Sequence, residues 1–189
     1  MRNRLMLLLF LILLVSTACR KEAELAPLSE YESADVQAQA YNFHVFPGSR
    51  FLQAQTELLR RAHFAMQPEA TEAPPMAVYD TDASIEDVAR FYASRYGYPQ
   101  IAANEAANFS SIRPLAYYTS GDLATDAAAV KPILEKLGME SDVSKAVGPY
   151  RGAYVASQRN LPRVNIQRPY HDVFAGEIVD RTLILMVRE

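Results

Sequence analysis

The chain has 189 residues, of which 50% are apolar, and its 19 basic and 22 acidic side chains give a formal net charge of −3. This mildly acidic balance argues against nucleic-acid binding, which requires a basic surface that displaces counterions from phosphates. The single cysteine excludes an internal disulfide, so the stability of the fold must come from an ordinary apolar core. A chain of this length buries enough surface for one such domain.

The first nineteen residues have the pattern of an export signal. Arg2 and Arg4 precede an unbroken apolar run from Leu5 to Val15. Such a run lies within the roughly 7 to 15 residues of a signal peptide and is shorter than the ~20 residues that a helix needs to cross a membrane. The run is followed by Ser16-Thr17-Ala18 and then by the only cysteine, Cys19.

This ending resembles the lipobox of bacterial lipoproteins, in which the cysteine receives a diacylglycerol and the signal is cut just before it. The resemblance implies that residues 1–18 are removed and that Cys19 becomes the lipidated first residue. The family usually has leucine or another aliphatic residue where this chain has Ser16. An ordinary secretory signal cut near Ala18 and an uncleaved anchor are the alternatives, and all three place the domain outside the cytoplasm.

A lipoprotein carries at least two acyl chains, which suffice for stable anchoring. Because Arg20 stands where an aspartate retains enterobacterial lipoproteins at the inner membrane, the outer membrane is favoured. The mature chain keeps 17 basic and 22 acidic side chains, a charge of −5. Residues 19–33 are charged without an apolar period and predict a flexible tether. Residues 34–189 then form a single globular domain, which we place in the periplasm.

Along this domain, the turn Pro47-Gly48-Ser49 precedes a helical stripe of apolar residues from Phe51 to Gln67. A short strand is predicted at Met76–Tyr79. The next helix has the clearest signals, because Ser84 begins a sequence that resembles a capping box and Gly97 is suited to end the helix.

The second half of the chain predicts mainly strands. They lie at residues 112–118, 152–156, 164–167 and 182–187. A further helix is predicted at residues 125–137, with Pro132 bending or splitting it and Gly138 ending it.

The last strand is apolar at every position after Thr182, which is typical of a strand that is covered on both faces. Residues 172–180 are polar and contain Gly176, so they predict a loop that joins the last two strands as an antiparallel hairpin. The expected fold class is therefore α+β, a largely antiparallel sheet with helices packed against it.

Residues 77–98, AVYDTDASIEDVARFYASRYGY, resemble a strand-turn-helix module of bacterial envelope lipoproteins. Those families have no agreed activity. The resemblance therefore implies an envelope lipoprotein and assigns no catalytic residue.

Familiar catalytic signatures are missing from the sequence: it has no G-x-S-x-G elbow, no H-E-x-x-H, no cysteine pair and no phosphate-binding glycine loop. The three histidines, His44, His63 and His171, lie far apart and are expected to be structural. We predict no cofactor, no metal site and no catalytic residue.

The remaining candidates for a ligand or contact site are Arg168, Tyr170 and His171, where a strand ends and a loop begins. Alternation places Arg168 on the same side as apolar positions, so its guanidinium needs a partner. An ion pair with Asp172 or Asp180 is the structural interpretation, and anion binding is the functional one.

Eight tyrosines are candidates for a contact surface, because their rings are apolar and their hydroxyls form hydrogen bonds. They are Tyr92, Tyr96, Tyr98, Tyr117, Tyr118, Tyr150, Tyr154 and Tyr170. The alternative places them at the edges of the core.

Two functions follow from these observations. The first is a non-catalytic accessory lipoprotein whose domain binds another envelope protein, with the membrane as its second partner through Cys19. The second is a small-ligand binder or enzyme with a site near Arg168 and His171. The first predicts an apolar contact surface, and the second predicts a cavity on which Arg168, Tyr170 and His171 converge with a carboxylate.

Overall fold

The structure is a computed structural model that describes residues 43–103, 116–139, 142–156 and 161–188. The predicted signal, Cys19, the tether and the start of the domain lie outside the described residues, as does the first half of the strand predicted at residues 112–118.

The described residues form eight strands, three α-helices and one 3-10 helix. In chain order they are β1 (Arg50–Phe51), α1 (Gln53–Met66), β2 (Met76–Thr81), α2 (Ile85–Arg95), β3 (Ala116–Asp122), α3 (Leu123–Lys136), the 3-10 helix (Val143–Lys145), β4 (Pro149–Val155), β5 (Arg163–Arg168), β6 (Tyr170–Asp172), β7 (Glu177–Val179) and β8 (Thr182–Val187).

Six of the strands form one antiparallel sheet in the order β1-β2-β8-β5-β4-β3. The domain is therefore α+β, as the sequence predicts. The C-terminal strand lies in the middle of the sheet, where Ile184 and Met186 are fully buried on one face and Leu183 and Leu185 are half-buried on the other. Its continuous apolar sequence follows from this position, since both faces are covered.

Helices cover both faces of the sheet. On one face, α2 contributes Val88, Ala89 and Tyr92 to the main apolar core, where they meet side chains of five strands. On the other face, Leu59 of α1 packs near Val78 in a smaller cluster, and α3 lies beside α1. The space between α3 and the sheet is where a cleft forms.

The helix boundaries agree closely with the sequence signals. Ser84 is the N-cap of α2, and its hydroxyl accepts a hydrogen bond from the Asp87 backbone N–H at 3.1 Å. Pro132 lies inside α3 and does not split it. The proline has no N–H for the carbonyl of Ala128, but both residues are exposed, so water can satisfy that carbonyl.

The segment between β5 and β8 differs from the prediction. These two strands do pair antiparallel, but the connection is more than the polar loop expected at residues 172–180. It contains a second sheet, in which β6 pairs with β7 and Gly176 takes a positive φ of 66° at the turn. Tyr170 and Val179 form this hairpin because both bury apolar surface in the cluster around Val78.

Candidate functional site

A cleft of about 220 Å³ lies between α3, the sheet and the β6–β7 hairpin. Its floor contains Gln167 and Leu183, which are directly paired in neighbouring strands. The walls are mostly aliphatic and come from α3, the 3-10 helix and the start of the hairpin. The other lining residues are Leu123, Asp126, Ala127, Ala129, Val130, Val143, Tyr170, His171 and Val173.

His171 lines this cleft and has one unpaired polar atom. Its Nε2 is buried and makes no hydrogen bond with any described residue. Burial lowers the pKa of the imidazole, although Asp172 and Asp142 oppose that shift. His171 is therefore a neutral hydrogen-bonding group near physiological pH, in contact with an apolar cavity.

Asp126 supplies a carboxylate to the same cleft. Burial raises the pKa of its carboxyl, and a hydrogen bond with the Tyr150 hydroxyl opposes that shift. Asp122, the N-cap of α3, adds a like charge nearby that also raises the pKa. The sequence did not single out Asp126, because an aspartate in the first turn of a helix usually has only a capping role.

Arg168 does not join this site. Its Nε donates to Asp180 Oδ1 at 2.8 Å, and its Nη1 donates to the backbone carbonyl of Asp82 at 3.1 Å. Arg168 is on the α2 side of the sheet, whereas Tyr170 lies on the other side, since Pro169 interrupts the alternation between them. The ion-pair interpretation is confirmed with Asp180 as the partner, and the convergence of Arg168 with His171 is wrong.

We expect Arg168→Gln to lower the free energy of unfolding by less than about 1 kcal/mol. The Asp180 side chain is 82% exposed, so water screens the pair strongly. Urea unfolding of the variant and the wild type measures the difference. A loss well above this value would show that the carbonyl contacts of Arg168 stabilise the domain more than the ion pair does.

The hydroxyl of Tyr170 has a structural role. Its hydroxyl donates to Asp80 Oδ2 at 3.1 Å, and Asp80 is fully buried. Arg50 Nη2 and Arg181 Nε donate to the same oxygen at 2.7 and 3.0 Å. This cluster ties β1, β2, β6 and the start of β8 together, and the sequence did not identify it because its members are far apart along the chain.

The eight tyrosines do not form an exposed surface. Tyr92, Tyr150 and Tyr170 are buried, and the other five are half-buried. The hydroxyls of Tyr96 and Tyr98 donate to backbone carbonyls at 2.7 and 2.6 Å. These contacts match the interpretation that places the tyrosines at the core and its edges.

The large apolar side chains that are exposed among the described residues lie on segments that also supply the cleft, or next to such segments. Phe174 and Ile178 are 49% and 40% exposed on the β6–β7 hairpin, which forms one wall. Val147 is 58% exposed and follows the 3-10 helix, which supplies Val143 to the cleft. These three side chains are an apolar rim in the sense that the segments carrying or preceding them also supply lining residues of the cleft.

The described ranges contain neither a cluster of metal-binding side chains nor a helix that could span a membrane. No group of three or more histidine, aspartate or glutamate side chains within them has the arrangement of a metal site. None of the helices in those ranges combines the length and the apolar character that a membrane span requires.

Comparison with known proteins gave no match to this chain among protein-family models, curated proteins or solved structures.

Proposed function

We propose that this protein is a bacterial envelope lipoprotein, anchored through Cys19, whose domain is a non-catalytic accessory module that binds another envelope protein. The cleft with its apolar rim carries the binding part of this proposal. The charge, length and cysteine placement of the N-terminal segment support the anchor.

An anchor and a binding cleft have a combined physical effect. Acyl chains on Cys19 hold the domain near the membrane, and a tether of about 14 residues reaches about 20 Å from it. A partner in the same membrane then meets the cleft at a raised effective concentration, so that a small interface suffices. The outer membrane is the favoured location, because Arg20 replaces the aspartate of inner-membrane retention.

The exposed side chains support protein binding rather than catalysis. Phe174, Ile178 and Val147 are large apolar groups exposed to water on or next to the segments that supply the cleft, which supports a contact site there. Apart from His171 and Asp126, the ionisable side chains of the cleft are limited to the buried Tyr170. No arrangement of a nucleophile with a base is recognised among the described residues that line it.

The anchor is tested with Cys19→Ala. We expect this variant to lose incorporation of labelled palmitate almost completely and to leave the membrane fraction, because no other cysteine is present to accept the lipid. Metabolic labelling followed by fractionation of the cells measures both effects.

Ser16→Leu is the matched control for that experiment. It restores the aliphatic residue that lipoproteins usually have at this position, so labelling should persist or increase. If Cys19→Ala keeps the label and the membrane association of the wild type, the lipoprotein proposal is wrong.

A second candidate function is the binding of a small free ligand in the cleft. The lining of the cleft favours it, since aliphatic walls with a few polar groups, here Asp126, Gln167 and His171, are typical of a small-molecule site. The experiment described next separates a free ligand from a protein segment.

A further inference from the structure

The size of the cleft limits what it can hold. Small-molecule sites usually measure roughly 300–1,000 Å³, whereas this cleft has about 220 Å³. Its lining includes Ala127, Val130 and Leu183, which offer apolar contacts and no charge. The cleft therefore fits a group the size of one side chain with an apolar stem.

The charge in the cleft indicates which chemical group the bound side chain should carry at its tip. No described cation forms an ion pair with Asp126, and the group that opposes the rise of its pKa is the hydroxyl of Tyr150. The carboxyl is half-buried, and the charged group that acts on it is another carboxylate, Asp122. A carboxylate in this position is stabilised by an incoming cation.

The charged groups around His171 are also mainly negative. Asp142 and Asp172 act on its imidazole from the 3-10 helix side and from the hairpin. The one cation that acts on it, Lys145, already forms an ion pair with Asp142 at 3.8 Å. With Asp126 in the lining and these two carboxylates near His171, the cleft favours a group that carries positive charge.

We infer that the cleft binds the side chain of a lysine that is presented by the partner protein, with the aliphatic stem along Ala127 and Val130 and the ammonium at Asp126. This inference rests on the protein-binding function proposed above. Lysine fits better than arginine, because an ammonium is compact and needs only one carboxylate oxygen, whereas a planar guanidinium needs more room in a cleft of about 220 Å³ and prefers to bind both oxygens at once.

The rim identifies a protein as the source of the lysine. A free amine would fill the cleft and leave Phe174, Ile178 and Val147 in water. A lysine flanked by apolar residues would cover these side chains as well as the cleft, which adds favourable burial.

The test uses the purified full chain in a non-ionic detergent and the peptide acetyl-Leu-Lys-Leu-amide as the probe. NMR signals of the His171 imidazole report occupancy of the cleft. We expect saturable binding of this peptide, and binding at least about tenfold weaker for the matched peptide with norleucine, which keeps the stem and lacks the ammonium.

Three variants make the test specific. Asp126→Asn should weaken binding of the lysine peptide at least about tenfold, and Glu135→Gln, which removes an exposed carboxylate from the same helix, should leave it unchanged. Phe174→Ser should weaken binding of the peptide and have no effect on pentylammonium, a free amine of similar length. Circular dichroism of each variant shows whether it is folded.

Each contrary outcome overturns the inference. Equal affinity for the lysine and norleucine peptides would make the cleft a purely apolar groove. Equal affinity for pentylammonium and the peptide would identify a small-amine site, which is the second candidate function. Absence of any saturable shift at His171 would exclude the cleft as the site. None of these results depends on lipidation, so the prediction for Cys19 stands or fails separately.

Discussion

The double variant Arg50→Met with Arg181→Met is expected to lose about 3–5 kcal/mol of unfolding free energy. These arginines are the cations that contact Asp80, whose side chain has no exposed surface. Removing both leaves a buried carboxylate that has only the hydroxyl of Tyr170 as a hydrogen-bonding partner among the side chains described at its two oxygens. Denaturant unfolding of the double variant and the wild type at neutral pH measures the loss.

Replacing Asp80 should lower the free energy of unfolding less than replacing the two arginines does. In Asp80→Asn, the guanidinium groups of Arg50 and Arg181 remain partly exposed, 64% and 26%, so water can solvate them. Adding Asp80→Asn to the double variant should therefore recover part of its lost stability. If the triple variant is no more stable than the double variant, the buried charge is not the cause of the loss.

The pH dependence of stability gives the same cluster a second signature. Burial tends to raise the pKa of Asp80, but hydrogen bonds from Arg50 and Tyr170 and the charge of Arg181 outweigh it, so the pKa lies below its usual value. The resulting stabilisation is complete above the unfolded pKa of about 3.9 and is lost as the pH falls through the lower folded value. The double variant should lack this loss of stability.

Gly152→Ala is expected to destabilise the domain by about 3 kcal/mol, the upper end of what overpacking usually costs. A Cβ at this position would lie 2.4 Å from the Ile166 carbonyl oxygen and 2.7 Å from Thr119 Oγ1. The carbonyl belongs to the backbone of the neighbouring strand and cannot move without opening the sheet. Thermal and urea unfolding measure the effect.

Gly121→Ala in the adjacent strand is the matched control. Its Cβ would lie 2.4 Å from the ring of Tyr150, but a side chain can move aside more easily than a backbone. We expect a smaller loss for this variant than for Gly152→Ala. Equal losses would show that the sheet yields at β5 as readily as the tyrosine does.

Local signals in the sequence were sufficient for the fold class and for several element boundaries. Ser84 and Gly97 act within a few residues of the helix that they delimit, so their effect can be read without knowledge of the fold. The apolar run after Thr182 likewise predicts a strand covered on both faces, and β8 lies between β2 and β5.

The site was only partly predictable. His171 and Tyr170 do line the cleft, but the carboxylate opposite them, Asp126, comes from a helix more than forty residues earlier. Arg168 shares sequence parity with Tyr170, and the break at Pro169 places the two on opposite sides of the sheet. Alternation holds only while a strand continues, and although the sequence predicted that the strand ends near this point, it did not show to which side of the sheet the chain turns after Pro169.

The charge balance follows from composition alone. The signal-like N-terminal segment, the helix caps and the apolar pattern of the last strand each depend on residues that are neighbours in the chain, so they could be predicted without the fold. Which carboxylate pairs with Arg168 depends on the tertiary structure. Asp180 is the partner, whereas Asp172 accepts a hydrogen bond from Gln55 of α1. The Asp80 cluster and the cleft likewise form only when strands and helices that are distant in sequence pack together.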